Sequence, residues 1–301
     1  MTNAVTQSPG RITRATLIAK HTLAPALAAL AGAAEFLSAN GCRPAIEKNS
    51  AERAGLGDRW PVVAREDVGR ETDVVIAFGG DGTLLDAASA VAHSEYDAPL
   101  LGINLGRLGF LTDVGRADML EALGHLVAGR ATTDTRLLLE GRVVREGNVV
   151  AQHLALNDIV VTRGALARMI EIDVSVDGEF VSHVKADGLI VATATGSTAY
   201  NLSAGGPILL PSADALVVTP LAPHALANRP VVLSATARIE LRPAVEPDTD
   251  PVVTFDGQYG VPLAPEDVVT IARAPRVLRL MRTSSRTHFA MLREKLKWGE
   301  G

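Results

Sequence analysis

The sequence predicts a mixed α/β protein of two domains, an N-terminal part built on a mostly parallel sheet and a β-rich C-terminal part. Three observations carry this. About 130 residues at the start alternate short apolar runs with longer helical stretches, the pattern of strand–helix–strand units. After about Thr132, strand-like runs follow one another with short segments between them. The chain has 301 residues, room for two small domains and long for one.

Met1 to Arg14 is polar and reads as a flexible lead-in. Thr16–Lys20 (TLIAK) is a short apolar run, hence a strand. An alanine-rich helix spans about Leu23 to Ala39 and stops at Asn40-Gly41, residues that accept a left-handed C-terminal cap. Its apolar stretch holds Pro25 and Glu35 and falls short of the roughly 20 residues of a membrane span. It therefore reads as a buried helix, neither signal peptide nor anchor. Arg43–Glu47 is a second strand, and Asn49–Arg70, polar and with Pro61 and three glycines, reads as loop-rich. Asp73–Phe78 (DVVIAF) is apolar almost throughout, as a strand covered on both faces is, and runs into Gly79-Gly80-Asp81-Gly82-Thr83. Leu84–Ala92 reads as a helix, Pro99–Asn104 as a buried strand and Arg116–Ala128 as a helix. Strands are then expected at Leu137–Val144, Val149–Leu156, Asp158–Thr162, Met169–Val176, Gly188–Ala192, Ala215–Thr219, Arg238–Arg242, Val252–Phe255 and Val268–Arg273. Gly147-Asn148 and Asp177-Gly178 are turn signals, and Leu292–Lys297 is a short closing helix.

Composition removes several functions. With 29 Lys and Arg against 34 Asp and Glu, the net charge of −5 disfavours a nucleic-acid partner. The single cysteine, Cys42, excludes an internal disulfide and a cysteine-based zinc site. Seven histidines are scattered without helical metal-ligand spacing. A cytoplasmic protein with no membrane partner is expected. The G-x-x-x-x-G-K-[S/T] and G-x-G-x-x-G motifs are absent, which excludes a P-loop enzyme and an ordinary dinucleotide-binding dehydrogenase.

Chemistry concentrates in five segments. Gly79–Thr83 ends a buried strand, and open α/β sheets bind ligands beyond the carboxyl ends of their strands. Glycines there let a backbone approach phosphate, with N–H groups near a helix start to receive it. Asp81 repels phosphate unless it meets a metal ion or takes a proton from an attacking hydroxyl; the plain alternative is a tight turn. Asn157-Asp158 offers acceptors for amide or ribose groups, or a turn leading into a strand. Lys185–Pro207 sets Asp187-Gly188 before a strand and follows with Thr195-Gly196-Ser197-Thr198, whose hydroxyls cap a helical turn or bond a ribose or amide. Tyr200 either stacks on a planar ligand or fills core. His224, between Pro223 and Pro230, is a base or a structural residue, and Asp256-Gly257-Gln258 reads first as a hairpin turn.

In this order, GGDGT, NLGRLGF (104–110), LND, DGLIVATATGSTAY, PHALANRP and DGQ resemble the diagnostic blocks of the NAD kinase family, and the likeness extends to the terminal LREKLKWGE. GGDG-like loops also occur in diacylglycerol and sphingolipid kinases and phosphofructokinases, and the DGLIV…TGSTAY and PH-x-L-x-x-RP blocks separate NAD kinases from these. The resemblance implies phosphoryl transfer from ATP, or from polyphosphate, to the 2′-hydroxyl of the adenosine ribose of NAD. A divalent cation, Mg²⁺, would offset the charge between Asp81 and the nucleotide. It implies Asp81 as general base and Gly79, Gly80, Gly82 and Thr83 as the phosphate loop. NAD contacts are implied for Asp81, Gly82, Asn157, Asp158, Arg168, Lys185, Asp187, Gln258 and the strip Thr198, Ala199, Tyr200, Asn201, Leu202 and Ser203. The implied architecture is a Rossmann-like α/β domain over residues 1–135, with 280–301 packing back on it, and a β-sandwich-like NAD-binding domain over 136–279, in a homodimer or homotetramer.

Three positions depart from the family pattern: Ala194 stands where Pro is frequent, Asn201 where Ser is frequent, and Asp86 where many relatives carry a basic residue. Two other readings use the same residues. A GGDG-type lipid kinase wants a basic or apolar membrane face, against the acidic balance. A catalytically silent NAD(P)-binding regulator sits poorly with the retained Asp81 and TGSTAY strip.

Overall fold

The structure is a computed structural model that describes residues 10–20, 22–106, 109–164, 168–246, 249–284 and 286–298. Residues 1–9 of the expected lead-in, Arg107 and Leu108 of the NLGRLGF block, and Gly299 and Glu300 of the terminal block lie outside the described residues. The chain divides into two compact units, one up to Thr135 together with Leu278 onward, the other Arg136–Val277.

The first unit contains β1 (Arg14–Ala19), α1 (Ala24–Ala39), β2 (Arg43–Glu47), α2 (Lys48–Ala54), β3 (Val62–Val63), β4 (Val74–Gly79), α3 (Asp81–His93), β5 (Leu100–Asn104), β6 (Val114–Gly115) and α4 (Met119–Val127). Its strands pair in the order β3-β2-β1-β4-β5, all parallel, with β6 beside β5. Every residue of β4 and β5 is buried, which explains their unbroken apolar runs. Pro25 sits in the first turn of α1, and Gly41 follows its C-cap Asn40 at φ +78°. Leu30 and Leu37 of this helix, Leu17, Phe78, Ile103 and Leu123 share one core. The order reverses at β1: β2 and β3 lie on one side of it, β4 and β5 on the other. In such sheets the crevice outside the carboxyl ends at the reversal is the ligand position.

Two expectations need correction here. The stretch 49–70, expected as loop-rich with no element placed in it, includes most of α2, the short β3 and a 3₁₀ turn at Arg65–Asp67. The cap of α2 is a glutamate: Glu47 accepts the backbone N–H groups of Asn49 (3.1 Å) and Ser50 (2.9 Å). No Ser, Thr, Asp or Asn marks that start, so the usual signal is missing. The helix expected from Leu84 begins instead at Asp81, which places the carboxylate in the first turn of α3.

The second unit runs through β7 (Thr132–Arg145), β8 (Asn148–Ala155), β9 (Asp158–Thr162), β10 (Ile170–Val176), β11 (Glu179–Ala186), β12 (Gly188–Thr193), a 3₁₀ turn at Gly196–Thr198, α5 (Tyr200–Ser203), β13 (Ala215–Leu221), β14 (Val231–Ser234), β15 (Ile239–Pro243), β16 (Val252–Phe255), β17 (Tyr259–Pro262) and β18 (Val268–Arg282). β7 begins within the first unit and β18 ends there. One sheet is antiparallel in the order β14-β13-β12-β9-β16-β17. The other sets β11, β10, β15 and β18 side by side and includes the β7–β8 hairpin. The two sandwich a core of Ile159, Val161, Val191 and Val253 from the first and Leu139, Ile172, Ile239 and Val269 from the second. β11, β14 and β17, absent from the sequence expectation, are all edge strands with mostly exposed side chains. An edge needs no continuous apolar run, so its signal is weak.

Past Leu278 the chain is again part of the first unit: Leu280 pairs in parallel with Leu100, Met281 enters the core, and α6 (His288–Leu296) follows.

Candidate active site

In the first unit, Gly79 and Gly80 lie at the carboxyl end of β4, next to the strand reversal, and Asp81 opens α3. The three glycines differ in what they permit. A Cβ on Gly79 would collide with the Thr83 side chain, so Gly79 is explained by packing. A Cβ on Gly80 or Gly82 would meet nothing within 4 Å. Packing does not require those two glycines, and each leaves the backbone open to a ligand.

Asp81 is held by a turn the sequence did not connect to it. Its Oδ1 accepts the Thr112 hydroxyl (2.7 Å), the Thr112 N–H (3.0 Å) and the Leu111 N–H (3.3 Å); Oδ2 accepts the Phe110 N–H (2.7 Å). Asn104, at the end of β5, donates its Nδ2 to the Thr112 hydroxyl at 2.7 Å, so a chain of donors runs Asn104–Thr112–Asp81. Gly109 makes room for this, since a Cβ there would overlap the Asp81 carboxylate. One helical turn on, Asp86 is ion-paired with Arg65, whose Nη2 also donates to the Asp86 carbonyl at 2.7 Å. The departing acidic residue is thus neutralised by a neighbour within the unit.

In the second unit, Asn157 and Asp158 are buried at the start of β9. Asn157 Oδ1 is buried and has no hydrogen-bond partner. Burial, and then the charge of Asp256, push the Asp158 carboxyl up to about 7. Gly196 packs directly on the Asn157 backbone, where a Cβ would collide. The loop carrying Ala194 in place of Pro is closed by hydrogen bonds instead: the Gly196 N–H donates to Thr193 Oγ1 (3.0 Å) and the Ser197 hydroxyl to the Ala194 carbonyl (2.7 Å).

The remaining expected residues fall into three settings. Thr198 and Ala199 are half-buried at the 3₁₀ turn, Tyr200 and Ser203 are exposed, and Leu202 is half-buried. Asn201 is fully buried with its carboxamide committed: Nδ2 donates to the Ser197 and Pro207 carbonyls (3.0 and 3.1 Å), and Oδ1 accepts the Thr219 hydroxyl (2.6 Å). Lys185 is exposed and paired with Glu171 at 2.7 Å, which holds its ammonium above the usual lysine range. Asp187 pairs with Arg163 at 2.7 Å; Arg168, Gln258 and His224 are exposed. Three residues that position the site were given no role there from sequence: Thr112, Thr193 and Asp256, the last read as a turn and as the start of the DGQ block.

Among the described residues, no cluster of three or more His, Cys, Asp or Glu can hold a metal ion. Cavities of about 630 Å³, beside Asp113 and Arg282, and about 660 Å³, beside Arg238 and Thr270, are lined by none of the expected residues. Openings to solvent shape these volumes, and the hydrogen-bonded carboxylate and buried carboxamide are the stronger indication of chemistry.

The chain matches the ATP-NAD kinase N-terminal domain over residues 18–131 and the ATP-NAD kinase C-terminal domain over residues 156–283. It is 44% identical over 282 residues to an NAD kinase of Aromatoleum aromaticum, covering 94% of this chain and 93% of that one. An NAD kinase of Azoarcus sp. is also 44% identical, with 94% and 95% covered. Among solved structures, yeast NADH kinase complexed with NADH superposes with a TM-score of 0.84 at 24% identity, over 97% of this chain and 89% of that one; it shows the shared fold. An NAD kinase from Archaeoglobus fulgidus in complex with ATP gives a TM-score of 0.72 at 25% identity, over 94% and 98%.

Proposed function

The chain belongs to the NAD kinase family, and from that premise we propose how its residues divide the phosphorylation of the adenosine ribose 2′-hydroxyl of NAD. Asp81 receives the hydroxyl proton. The observation that carries this role is the carboxylate's anchoring beside two glycines that face open space. Its two oxygens are not equivalent. Oδ1 already accepts three donors and Oδ2 one, so Oδ2 keeps a lone pair for the proton. The transfer helps late, as the hydroxyl acidifies in the transition state. Orientation and charge stabilisation supply most of the acceleration in phosphoryl transfer.

NAD contacts are assigned in the second unit to Asn157 and Asp158, with the Thr198–Ser203 strip, Lys185, Asp187, Arg168 and Gln258 as further candidates. Asn157 Oδ1 supports this best, as a buried acceptor that lacks a donor. Asn201 takes part through its backbone, because its side chain is committed inside the fold. ATP is the proposed donor, supported by the Archaeoglobus relative's complex. Among the described residues, no group of three or more His, Cys, Asp or Glu would hold a cation by itself. The divalent ion that this chemistry employs would be held by the donor's phosphates, as Mg²⁺ commonly is, and would offset their charge beside Asp81. A cytoplasmic enzyme is the proposed setting; no helix among the described residues is long and apolar enough to cross a membrane. Exposed Phe180, Val181, Val231 and Val232 on edge strands support a homodimer or homotetramer.

A coupled assay of NADP formation tests the reading, with NAD, Mg²⁺ and either ATP or polyphosphate, and a parallel NADH series. NADP is expected with ATP. Folded, NAD-binding protein that makes no NADP with either donor would favour the silent regulator.

A further inference from the structure

Asp256 does more than make a turn. It and Gly257 both have positive φ, +51° and +64°, and close the β16–β17 hairpin. In that position the Asp256 carboxylate accepts three consecutive backbone N–H groups: Leu156 on Oδ2 (2.8 Å), and Asn157 (2.7 Å) and Asp158 (3.1 Å) on Oδ1. The Asp256 N–H donates to the Asp158 carbonyl at 2.9 Å. Thr193 completes the bracket: its hydroxyl donates to the Leu156 carbonyl (2.6 Å) and its N–H to the Asn157 carbonyl (2.9 Å). Every backbone N–H and C=O of Leu156, Asn157 and Asp158 is therefore partnered, and Gly196 presses on the Asn157 backbone from a further side.

Against that complete satisfaction stands one buried atom without a partner, Asn157 Oδ1. Buried acceptors are rarely left so, and a backbone this firmly held does not shift to find a donor. A ligand that brings an N–H or O–H to it gains a hydrogen bond without reorganising the site. NAD carries such donors in its adenine amino group, its carboxamide and its ribose hydroxyls.

We propose that Asp256 is a positioning residue for NAD binding: by gripping three backbone N–H groups it fixes the Asn157 carboxamide so that its buried oxygen meets a donor of the nucleotide. This rests on the assignment of Asn157 to NAD contact. Asp256 acts on the nucleotide through Asn157.

The test is a double-mutant cycle on the full chain, with NAD affinity measured by calorimetry for wild type, Asn157→Ala, Asp256→Asn and the double variant. The KM for ATP, kcat and the melting temperature are measured beside it. Asp256→Asn leaves an oxygen for Asn157 and Asp158 and turns an NH2 against the Leu156 N–H. It is expected to weaken NAD binding roughly 10-fold, the order of one charge-assisted hydrogen bond, with the KM for ATP unchanged. The double variant is expected to bind no more weakly than Asn157→Ala alone, to within about twofold. Asp256→Glu, which keeps the carboxylate, is expected to recover part of the affinity. Wild-type NAD affinity in Asp256→Asn overturns the proposal if Asn157→Ala is weakened, and so does full additivity with a lowered melting temperature. Unchanged affinity in Asn157→Ala removes the premise itself and the NAD assignment with it. If Asp256→Asn is unfolded at the assay temperature, Thr193→Val runs the same cycle from the other side of the bracket, and additivity there overturns the proposal equally.

Discussion

Replacing Asp81 by Asn separates two roles of one carboxylate. In the folded chain three donors converge on Oδ1 and one, the Phe110 N–H, on Oδ2. Asparagine keeps an oxygen for the three and sets its NH2 against the Phe110 N–H. One charge-assisted bond is lost and three fall to neutral strength. Bonds to charged groups contribute about 1.5–3 kcal/mol and neutral ones about 1 kcal/mol. Asp81 is only half-buried, so water offsets part of the loss, and the net cost is about 2–3 kcal/mol. For a unit of this size that lowers the melting temperature by roughly 5–10 °C. Loss of the base lowers kcat by about 10²–10⁴-fold. Calorimetric melting and the coupled NADP assay, run well below the melt, read the two effects independently, while NAD binding is expected to persist. Turnover near wild type would refute the proton-accepting role. An unchanged melting temperature would refute the anchoring role, whatever happened to the rate.

Thr112→Val removes the hydroxyl that links Asn104 to Asp81 and leaves the Asn104 amide without that acceptor, for a loss of about 1–3 kcal/mol by calorimetry. Its kcat should fall less than that of Asp81→Asn, since the carboxylate remains; an equal fall would contradict the assigned roles. Gly196→Ala forces a Cβ into the Asn157 backbone and should cost about 1–3 kcal/mol while weakening NAD binding; retained affinity would show that the contact yields easily. Asp158→Asn should flatten the pH dependence of stability. The folded carboxyl, raised to about 7, holds a proton that the unfolded chain releases near its ordinary value of 3.8, so wild-type stability declines as pH rises between those values. The variant should therefore gain a few kcal/mol over wild type at pH 8 relative to pH 4, on the order implied by that difference. A gap between the melting curves that stays constant across this range would argue against it.

Buried features were legible in the sequence and relational ones were not. DVVIAF ends at GGDG in plain view because a strand covered on both faces must be apolar throughout. The edge strands β11, β14 and β17 escaped because their exposed faces tolerate polar residues. Asp256-Gly257 could be read as a turn from its dipeptide, but its grip on Asn157 spans 99 residues of sequence. Thr112 and Asp81 lie 31 residues apart, and neither announces the other. Asn201 belongs to a strip rich in small polar residues; composition shows that it can hydrogen-bond, while only the fold shows that the bonds point inward.

The path of the chain through its two units has a consequence for synthesis. Arg136–Val277 is contiguous and can close on itself as it leaves the ribosome, whereas the first unit lacks β18's final residues and α6 until everything between has been made. Leu280 beside Leu100, Arg279 on Asp97 and Arg282 on Asp113 all await that return. At common elongation rates of about 5–20 residues per second, the delay is on the order of 10 s. Until then the GGDG segment belongs to a sheet that lacks its last strand partner, and chains truncated after Val277 should present it to proteases while Arg136–Val277 resists them.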